Sequence, residues 1–257
     1  MVTWTTLGFD RQKTFFEQGF QSHAYLFVGQ PAIGKHTFAR ELACNVAANE
    51  DILCVDGRNG IDEIRRVKNF LSLSALAGDY KIVVIDNADR MTTEAQNALL
   101  KILEEPSASS ILLLIAPTAD SVIPTISSRC QIIECSVPSK KDFFKHPAVQ
   151  KLSNEQKEFL YQFSNGSIGL LGNDVSKIKT YVEEFARIAS SDINYRFDVS
   201  KTLSTDELLQ EKVLYWMLYL RTKKMYKPLK PLFSLYKSIL HPEYREQLAL
   251  ENFMLEL

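Results

Sequence analysis

The chain has 257 residues, of which 46% are hydrophobic and 24% charged, so it can form one large domain or two to three small ones. Its 30 basic residues nearly balance its 31 acidic ones, which excludes a strongly basic nucleic-acid coat but not a local basic surface. Ordinary numbers of glycine, proline and cysteine exclude collagen-like, disulfide-rich and disordered classes.

Strand and helix patterns alternate over the first 140 residues. Apolar segments predict strands at 24–28, 51–55, 81–86, 110–116 and 130–137. Helical periodicity between them predicts helices at 35–48, 61–73 and 93–104. This alternation predicts an α/β domain with a five-stranded parallel sheet covered by helices on both faces.

Only helical patterns follow residue 137. Helices are predicted at 154–163 and 174–190, on either side of a loop at 165–169, and a further helical block begins at 206. Pro228, Pro231 and Pro242 are expected to interrupt that block. We therefore predict three domains, at 1–138, 139–200 and 201–257.

The chain shows no sign of a membrane segment or of a built metal site. The N-terminus lacks a signal-peptide core, and the longest apolar runs fall far short of the roughly 20 residues of a membrane span, so we expect a cytoplasmic protein. The cysteines have no C-x2-C spacing, which favours free, buried thiols over the alternative of a zinc site. They are Cys44, Cys54, Cys130 and Cys135.

A phosphate-binding loop is the clearest motif. The first strand runs into G-x4-G-K, where backbone N–H groups and a helix N-terminus can hold phosphates and Lys35 reaches the terminal ones. The candidate contacts are Gly29, Gly34, Lys35 and Thr37, although Thr37 lies about 100° further round the helix and is expected to point elsewhere. His36 stands where a magnesium-binding hydroxyl belongs, and Mg²⁺ prefers oxygen ligands. Two alternatives stay open: a site that still binds ATP with Mg²⁺, or a structural relic.

The third strand carries a second nucleotide-site motif. It ends in Asp86, placed to hold a metal ion as in other phosphate-loop proteins, and is followed by Asn87. A carboxamide cannot accept a proton from an attacking water, and loss of a general base costs about 10²–10⁴ in rate. We therefore expect poor ATP hydrolysis or none, and we assign no residue to a resident metal.

Four segments resemble the AAA+ subunits of clamp loaders such as that of bacterial DNA polymerase III. They are QSHAYLFVG at 21–29, DNADRM at 86–91, AQNALLKILEEP at 95–106 and PTISSRCQ at 124–131, and the last two are the most specific. The resemblance is strong over 20–137, weaker over 150–190, and rests on 248–257 in the tail. It implies a AAA+ domain, a helical lid and an all-α C-terminal domain that joins a pentameric collar.

The resemblance also implies a role for Arg129. The family places the arginine of its S-R-C motif at a subunit interface, directed at ATP held by the neighbour. Such a finger stabilises the transferring phosphate and is worth about 10³–10⁵ in rate; without the motif, an ordinary salt-bridged residue would be the preferred interpretation. The family's two sensors are missing, because Ala116 and Pro117 replace the first and Gly169 replaces the arginine of the second. A subunit of this kind would complete the ATPase site of a neighbour without hydrolysing ATP at its own site.

The partners implied are gamma/tau-type ATPase subunits and a delta subunit in a hetero-pentamer, the sliding clamp, and primed DNA through the complex. No zinc is implied, because the interval from Cys44 to Asp51 is too short for the four-cysteine module of some relatives. Alternatives are an active gamma/tau-type ATPase and a structural AAA+ scaffold. A P-loop nucleotide kinase is disfavoured, because the chain lacks an evident nucleoside-binding lid with clustered arginines.

Four other features are given ordinary structural roles. The basic run at 221–230 is expected to be a solvated face, with DNA contact the less favoured alternative, and the apolar stretch 214–220 to pack against partner helices. His23 is expected to pack or hydrogen-bond beside the loop, and the Glu104–Glu105 pair to be solvated rather than catalytic. The basic residues are Arg221, Lys223, Lys224, Lys227 and Lys230, near Tyr226.

Overall fold

The computed structural model describes residues 4–171, 176–239 and 246–257. They form two compact units: Met1–His146 with Gly166–Leu170, and Pro147–Asn165 with Leu171–Leu257. The predicted division of the helical part at residue 200 into a lid and a collar domain stays a prediction.

The first unit is built on the predicted parallel sheet. Its strands are β1 Ala24–Val28, β2 Ile52–Asp56, β3 Lys81–Asp86, β4 Ser110–Ala116 and β5 Gln131–Glu134, in the order β2-β3-β4-β1-β5 and all parallel. Its helices are α1 Asp10–Glu17, α2 Lys35–Val46, α3 Ile61–Leu71, α4 Thr93–Glu104, α5 Pro124–Ser127 and α6 Lys140–Lys145. The sequence patterns did not predict α1, α5 or α6.

Alternate residues of the strands feed two separate cores, as the two-residue period of a strand requires. Leu26, Val83 and Leu114 pack on the side of α3 and α4. Tyr25, Phe27 and their neighbours pack on the other side, where α1 and α2 supply an aromatic group around Phe38. Helices cover both faces of the three central strands, so β1 and β3 are buried except at their last residue and β4 is buried along its whole length, whereas the outer strands β2 and β5 are partly exposed.

The strand order brings the candidate site residues to one edge of the sheet. Val28 at the end of β1 pairs with Ala116 at the end of β4, and β3 pairs with the other side of β4. The carboxyl ends of β1, β3 and β4 therefore lie side by side, where open α/β sheets bind ligands.

The second unit is helical. Its helices are α7 Pro147–Gln150, α8 Asn154–Ser164, α9 Ser176–Ser190, α10 Ile193–Leu203, α11 Leu209–Thr222, α12 Leu229–Ile239 and α13 Glu246–Glu256. The first two residues of the helix predicted at 174–190 lie outside the described residues. Pro242 lies outside them as well. Pro231 does not interrupt the helical block as expected; it lies in the first turn of α12, where a missing N–H is tolerated.

The apolar stretch 214–220 packs within its own unit, so the prediction that it meets partner helices is wrong for its buried members. Tyr215, Trp216, Leu218 and Leu220 are buried, and the Trp216 indole donates to the Tyr181 carbonyl at 2.8 Å. These four side chains therefore pack inside their own unit, whereas Leu214, Met217 and Tyr219 of the same stretch are only partly buried.

All four cysteines are free, as predicted, but the expectation that they are buried is wrong for two of them. Cys44 on α2 and Cys54 on the edge strand β2 are exposed. Cys130 is half-buried and Cys135 buried, and burial raises the pKa of each thiol to about 12. No helix within the described ranges is long and apolar enough to cross a bilayer.

Candidate nucleotide-binding site

The phosphate loop joins β1 to α2 in a conformation that depends on its glycines. A Cβ at Gly29 would lie 2.2 Å from the Cys135 carbonyl oxygen, so no larger residue fits there. Gly34 immediately precedes α2 and has φ +100°, a region that L side chains rarely adopt, and Ala32 between the two glycines also has a positive φ of 61°. The loop thus has the tight backbone that the G-x4-G-K pattern predicts.

Lys35 is buried, and its ammonium group is already engaged by the loop. It donates to the carbonyl oxygens of Gly29 and, over 2.8 Å, of Gln30. Burial lowers the pKa of Lys35, while the charges of Asp86 and Asp89 act in the opposite direction. A phosphate bound here would have to compete with these carbonyls for the ammonium group.

A cleft of about 390 Å³ lies over the loop and the strand ends. His36 and Thr37 both line it from α2, contrary to the expectation that Thr37 points elsewhere. Ala116 and Pro117 line it at the end of β4 and offer no side-chain donor, as the absence of the first sensor predicts. The remaining wall includes Asp86, Asn87, Asp89, Arg90 and Gly169.

Asn87, at the position of the general base, is hydrogen-bonded to Asp56, the last residue of the neighbouring strand β2. Its side-chain amide donates to Asp56 at 3.2 Å, and its backbone is left-handed with φ +50°. Arg58 binds the same carboxylate through Nε at 3.0 Å and Nη2 at 2.5 Å, and this lowers the pKa of Asp56 to about 2. The sequence patterns did not single out Asp56, because its relation to Asn87 depends on the pairing of β2 with β3.

Gly169, at the second sensor position, lies directly on the phosphate loop. Its backbone N–H donates to the Ala32 carbonyl at 2.9 Å. A Cβ at Gly169 would lie 2.7 Å from that carbonyl oxygen, so the contact excludes a larger side chain. The loss of the family's arginine thus coincides with a close backbone approach that the sequence alone could not indicate.

These residues fit a phosphate group better than a magnesium nucleotide. The loop backbone and the start of α2 suit an anion, but His36 offers Mg²⁺ a nitrogen where it needs oxygen, and Asn87 is no base. Across the part of the chain that the structure describes, no group of three or more His, Cys, Asp and Glu side chains is placed to hold a metal ion.

Arg129 lies apart from the residues that line this cleft. It follows α5 and donates to the Thr125 carbonyl at 2.9 Å and to the Glu104 carboxylate at 2.8 Å, with 37% of its side chain exposed. Glu104 was expected to be solvated, and half of its side chain is, but it pairs with Arg129. His23 contacts the Leu103 carbonyl at 3.1 Å, as the expectation of a hydrogen-bonding role allows.

Comparison with known proteins supports the resemblance drawn from the motifs. A family model described as DNA polymerase III, delta subunit matches residues 49–139. Over 195 residues the chain is 28% identical to DNA polymerase III subunit delta' of Haemophilus influenzae, covering 66% of this chain and 58% of that protein. Over 144 residues it is 31% identical to subunit delta' of Pseudomonas aeruginosa, covering 46% and 44%. The chain therefore spans less than two thirds of the length of these relatives.

A solved structure with the same fold is a DNA polymerase III gamma subunit-related protein of Thermotoga maritima. The TM-score is 0.63 at 20% identity, with 96% of this chain and 97% of that chain covered. This likeness concerns the fold alone and agrees with the predicted AAA+ architecture. The sequence matches, for their part, confirm the predicted resemblance to clamp-loader subunits.

Proposed function

We infer from these matches that the chain is a delta-prime-like AAA+ subunit of a clamp loader, and we propose that it acts in DNA replication. In this role it helps a multi-subunit complex to load a sliding clamp onto primed DNA. Its proposed neighbours are gamma/tau-type ATPase subunits and a delta subunit in a hetero-pentamer, and its proposed location is the cytoplasm.

Within that complex, we propose that Arg129 acts in trans on ATP held by an adjacent subunit. The single observation that supports this most is its position: the guanidinium is partly exposed and is not among the residues that line the chain's own cleft. Thr125 and Glu104 take one N–H each, which leaves three of the five guanidinium N–H donors for a phosphate. A guanidinium is planar and permanently charged, and here two hydrogen bonds hold it in place. Such a group can stabilise the negative charge that develops on the phosphate oxygens during phosphoryl transfer.

The chain's own site is proposed to hydrolyse ATP poorly or not at all. Asn87 cannot act as a base and is bound to Asp56. His36 is a poor magnesium ligand, and Lys35 is satisfied by loop carbonyls. These features favour a subunit that contributes to a neighbour's catalysis, and they disfavour the active gamma/tau-type alternative.

The test is ATP turnover in a complex reconstituted from this chain with its cognate gamma-type ATPase and delta partner. Arg129→Ala is compared with wild type and with Arg65→Ala, a matched control that removes an exposed arginine paired with Asp62 on α3. We expect turnover to fall by about tenfold or more for Arg129→Ala and to stay unchanged for Arg65→Ala. Sizing chromatography verifies that both complexes assemble.

Each contrary result has a distinct meaning. Unchanged turnover in an intact Arg129→Ala complex would reject the finger and leave a structural scaffold. Magnesium-dependent turnover by the isolated chain would instead favour an active ATPase.

A further inference from the structure

The second unit carries a concentration of positive charge that the proposed function does not use. Residues 212–242 contain seven lysines and arginines and no aspartate or glutamate, in a chain whose overall net charge is −1. Lys212 is neutralised by Glu184 and Asp206, each at 2.9 Å. The others form no ion pair with any residue that the structure describes; they are Arg221, Lys223, Lys224, Lys227, Lys230 and Lys237.

An apolar groove of about 390 Å³ lies among these cations, between α11 and α12. Its apolar walls come from Met217, Leu218, Leu229 and Phe233. Arg221, Lys230 and Tyr226 complete its lining. Phe233 is 47% exposed and Tyr226 is 65% exposed, which is a large aromatic surface to leave in water. Concave apolar surface framed by charge is typical of a binding site rather than of a merely solvated face.

We propose that this groove binds an acidic peptide segment of a partner protein. Large apolar side chains of the segment enter the groove, and its aspartates or glutamates meet the unpaired cations around it. The charge complementarity fixes the class of partner, because every ionisable side chain that lines the groove is a cation or a tyrosine. An amphipathic helix with leucine or phenylalanine on one face and carboxylates beside it has the required chemistry.

Two observations favour a peptide over single-stranded nucleic acid. Base stacking needs open aromatic faces, but the Lys237 ammonium lies 4.8 Å from the centre of the Phe233 ring and occupies one of its faces, and Tyr226 is the only other ring in the lining. The other apolar walls, from Met217, Leu218 and Leu229, are aliphatic, which suits branched apolar side chains better than flat bases.

The experiment measures fluorescence anisotropy with the full chain and a labelled acidic helical peptide of about four turns, with Leu, Phe and Leu on one face. A second peptide replaces those three residues with alanine, and an oligothymidylate replaces the peptide in a third titration. The variants are Tyr226→Ala, which removes an exposed ring, and Lys230→Glu. Their matched controls are Tyr195→Ala and Lys151→Glu, exposed residues of the second unit outside the groove.

We expect the leucine-phenylalanine peptide to bind at least about tenfold more tightly than its alanine version. Each groove variant should weaken that binding by about tenfold, and the controls should leave it unchanged. Binding should also weaken as salt rises from about 50 mM to about 500 mM, because exposed charges are screened. Circular dichroism verifies that the variants fold.

Three results would overturn the proposal. The two peptides binding equally would remove the role of the groove. Tighter binding of oligothymidylate, lost in Lys230→Glu, would assign the surface to nucleic acid. Self-association of the chain that Tyr226→Ala or Lys230→Glu abolishes, seen by sedimentation, would assign it to a second copy.

Discussion

The carboxylate of Glu104, at the end of α4, accepts a hydrogen bond of 2.8 Å from the guanidinium of Arg129, which follows α5. These residues belong to two different motifs of the sequence, LLKILEEP and S-R-C, separated by 25 positions. Packing of α4 near α5 brings them together, so the first motif supplies a fixed partner to the arginine of the second. Glu104 therefore holds one end of the Arg129 guanidinium, and we propose that it positions the arginine.

The first prediction concerns this pair. Half-exposed ion pairs are worth about 0–1 kcal/mol, so Glu104→Ala should lower the free energy of unfolding of the isolated chain by less than about 1 kcal/mol. In the reconstituted complex it should lower ATP turnover by about threefold to tenfold, less than Arg129→Ala does, because the arginine loses its orientation but not its charge. Glu105→Ala is the matched control, since Glu105 forms no ion pair with any described residue. Equal turnover of the wild-type, Glu104→Ala and Glu105→Ala complexes would show that Glu104 has no positioning role.

The second prediction concerns Asn87. Asn87→Glu restores the residue of a hydrolysing site but places a second carboxylate next to Asp56, whose pKa of about 2 keeps it charged at neutral pH. We expect no ATP turnover by the isolated variant and a loss of about 1 kcal/mol in its free energy of unfolding, from like-charge repulsion. Phosphate release and urea unfolding measure the two effects.

The control for this prediction is the double variant Asn87→Glu with Asp56→Asn. Asp56→Asn alone also loses the Arg58 contacts, so the comparison is made in that background: adding Asn87→Glu to Asp56→Asn should cost less unfolding free energy than adding it to the wild type. Neither variant should turn over ATP, because the residue after Lys35 is still His36. Substantial magnesium-dependent turnover in Asn87→Glu alone would mean that the base was the only part missing.

The third prediction concerns the contact between Gly169 and the phosphate loop. Gly169→Ala puts a Cβ 2.7 Å from the Ala32 carbonyl oxygen, and backbone cannot yield as a flexible side chain would. We expect the variant to lose about 1–3 kcal/mol of unfolding free energy and to show faster hydrogen exchange at the amide of residue 169. Gly78→Ala is the control, because a Cβ there meets nothing within 4 Å. Unchanged exchange at residue 169 would contradict the contact.

Much of the fold could be predicted from the sequence because buried parallel strands are apolar throughout and their helices are amphipathic. Hydrophobic patterns therefore predicted all five strands, and they gave the bounds of β1, β3 and β4 to the residue. The phosphate loop was predicted from the glycines and lysine of its G-x4-G-K motif. The contacts that define the site could not be predicted, because Glu104 with Arg129, Asp56 with Asn87 and Gly169 with Ala32 are distant in sequence and depend on strand order and packing. The apolar stretch 214–220 was misjudged because hydrophobicity alone does not distinguish a core from an interface.

The last prediction concerns acid stability and the N-terminal segment. Glu41 on α2 accepts hydrogen bonds from the backbone and side chains of Thr5 and Thr6, including one of 2.7 Å from the Thr5 hydroxyl and one of 3.0 Å from the Thr6 amide. Burial raises the pKa of Glu41, but these hydrogen bonds outweigh it and lower the pKa overall. A carboxyl whose pKa is lower in the folded state stabilises the fold above its unfolded pKa of about 4.3, and this contribution is lost as pH falls through the folded pKa.

Glu41→Gln should therefore cost about 1 kcal/mol of unfolding free energy at pH values well above about 4.3, and this cost should shrink progressively as the medium is acidified below that value. Urea unfolding of wild type and variant across this range measures the difference. Glu17→Gln is the matched control, because Glu17 is exposed and pairs with no described residue, so its small effect should not change with pH. A Glu41→Gln cost that is the same in neutral and acidic solution would show that the charge of Glu41 does not hold residues 5 and 6 against α2.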